Sequence, residues 1–156
     1  MLPRSWSLAG VLGAALLAGC ATAPPSTYTV ANSRTYPSSK DAVFDRVLTI
    51  STRNSMYVTA SDKRSGVLTF ERAIAAPSRM GAVYDWADCG MVSLVERPVS
   101  QLAELNMVVE PTGAGTRVTI NTHFSELRQD LSHNTRRVTC TSTGALEHEL
   151  LESFAH

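Results

Sequence analysis

The sequence lacks a surplus of charge of either sign. It has 14 basic and 14 acidic residues among 156, and its only lysines are Lys40 and Lys63. A protein that binds nucleic acid through the phosphates needs a clustered positive field. The basic doublets at 63–64 and 136–137 have no aromatic residues beside them. We therefore expect no nucleic-acid partner.

The sequence also lacks an apolar run long enough to cross a bilayer. Residues 8–19 give about 12 apolar or small positions, whereas a transmembrane helix needs about 20. Arg4 and the amino terminus precede this run, and small residues end it. This arrangement is typical of a secretory signal, so we predict a signal peptide over residues 1–19.

Cys20 closes that apolar run, in the tetrad Leu17-Ala18-Gly19-Cys20. The tetrad resembles the lipobox of bacterial lipoproteins, in which the cysteine thiol is lipidated, the peptide is cut before it and the new amine is acylated. The resemblance implies lipidation of Cys20 and a lipid anchor in the membrane. Within this class, Ala21 in place of aspartate implies release to the outer membrane. The alternative is an ordinary signal peptide with a chance cysteine.

Cysteine is scarce, with three residues in the chain. If Cys20 carries lipid, Cys89 and Cys140 remain as an even pair, which predicts a disulfide bond in an exported protein. A bridge that closes about 50 residues contributes on the order of 4 kcal/mol in the chain-entropy model. The alternative, a metal held by the two cysteines, lacks histidines at ligand spacing. We predict the disulfide, and no metal or cofactor.

A change in composition separates a linker from a domain. Residues 20–34 are rich in Pro, Ser and Thr, so we predict a flexible tether there. Residues 35–156 then form a single domain. Ser38 and Asp41 make a capping-box pattern that predicts the start of a helix. The helix continues to about Asn54 on an apolar face made of Val43, Phe44, Val47, Leu48 and Ile50.

Alternation of apolar and polar residues predicts two β-hairpins, with turns at 62–66 ("DKRSG") and 111–116 ("PTGAGT"). Between the two hairpins, we predict a long irregular loop over residues 73–100. A short strand at 136–140 and a second helix at 143–155 follow. We therefore predict an α+β fold, with an antiparallel sheet of about five strands and two helices packed on one face.

The sequence offers no set of residues typical of catalysis, since Gly-x-Ser-x-Gly and Ser-x-x-Lys motifs are both missing. His148, Glu152 and His156 share a helix face that could hold a metal, but it is the solvated face of a terminal helix. Glu147 falls inside the apolar stripe of that helix, where a carboxylate needs partners. We predict that it caps the backbone amides at the helix start, and is not a catalytic acid. We expect no enzyme activity.

The long loop carries Tyr84, Asp85 and Trp86 in succession. Aromatic residues on loops often make protein contacts, so these three residues are candidates for binding a partner. The alternative is that the aromatic rings fold back over the core beside Cys89.

Residues 35–72 combine an extended approach, a serine-capped helix and a hairpin with an Asp-Lys-x-Ser-Gly type of turn. This combination resembles a recurring unit of small bacterial envelope lipoproteins, and in particular the domain of the C subunit of the β-barrel assembly machinery. The resemblance implies a helix-on-sheet domain behind a lipidated cysteine and a flexible segment. A partnership with that machinery is not implied, because that subunit has two domains where this chain has one.

These observations together favour a non-enzymatic periplasmic adaptor or structural module. We expect it to be lipid-anchored in the outer membrane and to contact another envelope protein. The alternative is an envelope binding protein for a small apolar ligand, held between the sheet and the helices under Phe44, Leu48 and Phe154.

Overall fold

The computed structural model describes residues 23–75 and 85–156. The predicted signal peptide, Cys20 and Tyr84 lie outside the described residues. Within them the fold is α+β, as predicted, and no helix is long and apolar enough to span a bilayer. The elements are β1 Ser33–Tyr36, α1 Lys40–Arg53, β2 Tyr57–Asp62, β3 Val67–Ala75, β4 Ala87–Asp88, β5 Glu96–Thr112, β6 Gly115–Asp130, β7 Thr135–Ser142 and α2 Ala145–Ser153.

The antiparallel sheet has seven strands in the described residues, so the expectation of about five is wrong. Its order is β2-β3-β5-β6-β7-β4, and β1 pairs with β6 beside this path. The two unpredicted strands are β1 and β4. Both are short, and each owes its strand conformation to a partner distant in sequence, β6 for β1 and β7 for β4. Local alternation of apolar residues therefore could not reveal them.

The first predicted hairpin is confirmed, since β2 and β3 pair across the turn at residues 63–66. The Asp62 carboxylate accepts hydrogen bonds from the amides of Arg64 and Ser65, at 3.0 and 3.3 Å. Gly66 closes the turn with φ +82°, and its carbonyl accepts a 2.8 Å bond from the Val109 amide. A β-carbon at Gly66 would stand 2.1 Å from the Val109 carbonyl oxygen, so only glycine fits.

The second predicted hairpin is confirmed and is much longer than expected. β5 and β6 pair from Glu96–Asp130 to Thr112–Gly115, with one register shift after Pro98. Alternate residues of both strands are buried along the ribbon. They form one hydrophobic core with the helices, and its largest apolar members are Phe44, Phe70, Phe124, Phe154, Leu68, Leu105, Met107, Ile120, Leu146 and Leu150.

The first helix begins one residue later than predicted. Its N-cap is Ser39, whose hydroxyl accepts a 3.4 Å hydrogen bond from the Ala42 amide, so Ser38 is not the cap. Ser38 instead belongs to the turn after β1, where its carbonyl accepts a 2.7 Å bond from the Thr116 hydroxyl. Asp41 lies in the first turn, near the positive end of the helix dipole.

The second helix is held against β1. The buried Tyr36 hydroxyl donates a 2.6 Å hydrogen bond to the Leu151 carbonyl, and burial raises the pKa of Tyr36 to about 12. The phenol therefore remains a proton donor at physiological pH. Arg34 forms a 2.6 Å ion pair with Glu152 on the same helix. Both helices contribute to the one core, while their predicted packing on a single face of the sheet stays a prediction.

The close approach at Gly66 generates a test of the fold. We expect Gly66→Ala to destabilise the domain by at least about 1–3 kcal/mol, because a left-handed residue with a side chain is strained and clashes with Val109. Gly113→Ala is the matched control, since a β-carbon there meets no atom within 4 Å. Urea unfolding of both variants measures the difference. Equal midpoints would contradict the described turn.

Candidate functional site

Cys89 and Cys140 are paired, as the cysteine count predicted, with their sulfur atoms at bonding distance. Both cysteines are buried. Cys140 lies on β7 opposite Phe124 of β6, and Cys89 directly follows β4. The bond therefore fastens the segment around β4 to the sheet near the middle of the long ribbon, level with the Ala103–Phe124 pair.

A buried ion pair lies beside this disulfide. The Arg128 and Glu126 side chains are only 3% and 1% exposed, and Arg128 Nε donates to Glu126 Oε1 at 2.6 Å. Gln101 Nε2 donates to the other carboxylate oxygen at 3.3 Å and contacts Cys89 Sγ at 3.2 Å. Two opposite charges thus compensate one another where an isolated charge would be very costly.

The same guanidinium holds the loop that follows the disulfide. Arg128 NH2 donates to the carbonyls of Cys89 and Gly90, at 2.7 and 3.2 Å, and NH1 donates to the Met91 carbonyl at 2.9 Å. Three consecutive backbone acceptors are therefore satisfied by one side chain. The planar array of donors in arginine makes this possible, and lysine could not replace it.

Sequence reasoning missed this cluster, although the signal was present. Val118, Ile120 and Phe124 alternate on the inner side of β6, and the same period of two continues to Glu126 and Arg128. Opposite charges two residues apart in a strand lie on the same face. Extending the alternation past Phe124 would have placed both charges inside the protein.

Of the three residues predicted to contact a partner, Asp85 and Trp86 lie within the described part of the chain. Asp85 is exposed, while Trp86 is half-buried and packs against the core. The Arg72 guanidinium lies 4.6 Å from the centre of the Trp86 ring, in a cation–π contact. The carbonyls of Asp85 and Trp86 accept hydrogen bonds from Thr143, at 2.5 and 3.0 Å. Trp86 thus covers part of the core and remains partly exposed.

The segment predicted to be a flexible tether is docked where the structure describes it. The Asp88 carboxylate accepts hydrogen bonds from the Ser26 amide at 2.9 Å, the Gly90 amide at 2.8 Å and the Tyr28 hydroxyl at 3.2 Å. These bonds hold the pKa of Asp88 below its usual range. A lowered folded pKa means that they stabilise at neutral pH and are lost as the pH falls below the ordinary aspartate range.

The same segment continues along the sheet edge. The Asn32 carbonyl accepts a 2.8 Å bond from the Ile120 amide, and β1 follows at Ser33. The domain thus begins before residue 35, and the predicted flexibility of residues 20–34 is wrong for 23–34. Composition misled the prediction because the contacts come from backbone groups and from Asp88, more than 50 residues away in sequence.

Glu147 is buried, but it is not the helix cap that we predicted. Its Oε1 accepts hydrogen bonds from the hydroxyls of Ser142, at 2.7 Å, and Thr122. The N-cap residue of α2 is Gly144, and it makes no side-chain capping bond. The Ser142 hydroxyl itself accepts a 3.0 Å bond from the Gly144 amide. Glu147 therefore connects α2 to β6 and β7 through the Thr122 and Ser142 hydroxyls. It does not cap the start of the helix, because the Ser142 hydroxyl accepts the bond from the Gly144 amide instead.

No group of three histidine, cysteine or acidic residues is arranged to hold a metal ion in residues 23–75 and 85–156. Of the predicted set His148, Glu152 and His156, Glu152 pairs with Arg34, and His156 lies beyond the end of α2 at Ser153. The contact with Arg34 lowers the pKa of Glu152.

Comparison with protein-family models finds no match to the chain, and comparison with curated proteins finds no match either.

The buried ion pair generates a stability test. We expect Arg128→Met to destabilise the domain by about 3–5 kcal/mol, because it leaves the Glu126 carboxylate buried without its cation. The double variant Glu126→Gln with Arg128→Met should be more stable than the single variant, since the charges act as one unit. Urea unfolding of the oxidised proteins measures both.

The matched control is Arg97→Met on the same hairpin. Arg97 is exposed and hydrogen-bonds to Gln129, so its replacement should change stability by no more than about 0.5 kcal/mol. If Arg128→Met lowered the free energy of unfolding as little as this control, the buried ion pair would not contribute to stability as its geometry implies.

Proposed function

We propose that this chain is a lipid-anchored adaptor or structural module of the bacterial cell envelope. Cys20 carries the lipid in the outer membrane, and the domain acts in the periplasm through protein contacts. The observation that supports this most is the buried Cys89–Cys140 pair, because structural disulfides belong to oxidising compartments outside the cytoplasm. The remaining cysteine, Cys20, directly follows the predicted signal peptide, and the resemblance to a lipobox implies that it carries the lipid.

The contacts between the two helices and the burial of their aromatic rings support a closed core, which favours the adaptor. Arg46 of α1 donates a 3.1 Å bond to the Phe154 carbonyl at the end of α2, which supports packing of both helices on one face. Phe44 and Phe154 are almost completely buried in the core. The alternative function, binding of an apolar ligand, needs space under these rings, so their burial favours the adaptor.

The partner contact that we propose is the corner formed by Asp85 and the exposed part of Trp86. The cation–π contact with Arg72 and the hydrogen bonds from Thr143 hold this corner in place. Cys89 fastens the chain three residues further on. A corner that is already ordered loses little conformational entropy on binding, and tryptophan is a frequent energetic anchor in protein interfaces.

Lipidation makes a sharp prediction. In cells labelled with a palmitate analogue, we expect the wild-type protein to be labelled and Cys20→Ser to be unlabelled, because a hydroxyl cannot take the thioether-linked lipid. Cys89→Ser is the matched control, since it also removes one thiol, and it should keep the label. An unlabelled wild-type protein would overturn the proposed localisation.

The partner contact is tested by photocrosslinking in intact cells. A photoreactive residue at Asp85 should give a discrete adduct with one envelope protein, whereas the same residue at Glu110 should not. Glu110 is a suitable control because it is exposed on β5 and lies seven residues along the strand from Ala103, the strand partner of Arg72. An adduct of the same size from both positions, or from Glu110 alone, would argue against this corner.

A further inference from the structure

Large apolar side chains are exposed together at one end of the β5–β6 ribbon. They are Met91, Leu94, Val95 and Leu131, and we call them the apolar tip. Leu94 is 92% exposed and Leu131 is 79% exposed. Isolated exposed apolar residues are ordinary on protein surfaces, but several together mark a contact with another phase or molecule.

The pairing of the strands brings these residues together. Glu96 and Asp130 form the last pair of the ribbon, so Val95 and Leu131 each lie one residue beyond it. Neighbouring strands are about 4.8 Å apart. Met91 is held at the same end, because its carbonyl accepts the 2.9 Å hydrogen bond from Arg128, two residues before Asp130.

The docked N-terminal segment reaches this same end. The Ala23 carbonyl accepts a 3.3 Å bond from the Met91 amide. Gly90 permits this approach, with φ +70° and no side chain, since a β-carbon there would stand 2.8 Å from the Ala23 oxygen. Further along the same segment, Asp88 accepts the hydrogen bonds from Ser26 and Tyr28. The first described residue of the chain is therefore held against the apolar tip.

We propose that the apolar tip inserts into the membrane surface and that the domain is oriented on the bilayer. The inference rests on the proposed lipidation of Cys20. Three residue steps separate Cys20 from Ala23, and extended chain covers at most about 3.6 Å per residue. The lipid would therefore enter the bilayer within about 11 Å of Ala23, which itself contacts Met91, too near for the domain to swing freely.

The charged groups at this end are compatible with a membrane surface. Arg136 neutralises Glu96 through two hydrogen bonds, at 2.5 and 2.7 Å. The Asp130 carboxylate accepts hydrogen bonds from the Ser132 amide and from the amide and side chain of Asn134. Both carboxylates are thus satisfied within the protein. Apolar side chains beside an ion pair and a hydrogen-bonded carboxylate are suited to the boundary between headgroups and acyl chains.

The test uses the lipoprotein in vesicles of phosphatidylethanolamine and phosphatidylglycerol. A photoreactive residue replaces Leu94, Leu131 or, as control, the similarly exposed Tyr57 on β2. Mass spectrometry of the irradiated samples quantifies protein–lipid adducts, and the same spectra report acylation of Cys20. We expect several times more lipid adduct from positions 94 and 131 than from position 57.

The outcomes separate this proposal from the proposed lipidation. Acylated Cys20 with no lipid adduct at 94 and 131, or with equal adduct at all three positions, would leave lipidation standing and overturn the membrane orientation. An adduct between two copies of the chain at 94 would also overturn it, because the tip would then be a dimer contact. Absence of acyl groups on Cys20 would overturn both proposals.

A second variant tests the docked segment that sets the orientation. Asp88→Ala removes the acceptor of the Ser26 and Tyr28 bonds, so a longer stretch of unrestrained chain would separate the lipid from the domain. We expect the adduct from position 94 to fall towards that of position 57, with acylation of Cys20 unchanged. An unchanged adduct ratio would show that the segment does not orient the domain, which contradicts the proposal.

Discussion

The hydrogen bonds of the Arg128 guanidinium are the interaction on which the loop after the disulfide and its neighbouring contacts depend. The guanidinium joins the Glu126 carboxylate to three successive carbonyls of the loop after Cys89. The large apolar side chains of this loop, Met91, Leu94 and Val95, are exposed and do not anchor it to the core. Its backbone acceptors would also lose their hydrogen bonds to water on folding if no protein donor replaced them. The ion pair is therefore less a source of net stability than a means of specifying one loop conformation, which the disulfide then closes covalently.

Several features follow from that loop conformation. Because the loop is fixed, Gly90 presents an open backbone to Ala23. Asp88, on β4 just before the disulfide, accepts the bonds from Ser26 and Tyr28. These groups hold the first part of the N-terminal segment, and its pairing with β6 holds the rest. The buried pair and the Cys89–Cys140 bond thus fix the loop that contacts Ala23. Loss of the ion pair should loosen that contact, whereas loss of the docked segment need not disturb the core.

The sequence predicted those parts of the fold that local patterns encode. Both hairpins and α1 follow from alternation and helical spacing, and the cysteine pair follows from counting. The strands β1 and β4 could not be predicted, because their backbone bonds go to β6 and β7, far away in sequence. The role of Glu147 was missed for a similar reason: its hydroxyl partners lie on other elements, at Thr122 and Ser142. At Ser38 the error was one residue, since two adjacent serines have equal capping propensity and only the path of the chain chooses Ser39.

The two proposed surfaces constrain one another. Trp86 contacts Arg72, which lies level with Phe124 across the sheet, whereas the apolar tip includes Leu131 at the end of the same ribbon. Seven residues of strand span at most about 24 Å. A domain resting on its tip would therefore hold the Asp85–Trp86 corner within about that distance of the bilayer. Any partner of this corner must then be embedded in the membrane or extend to within one domain's width of it, because the docked N-terminal segment gives the anchor no length with which to reach further.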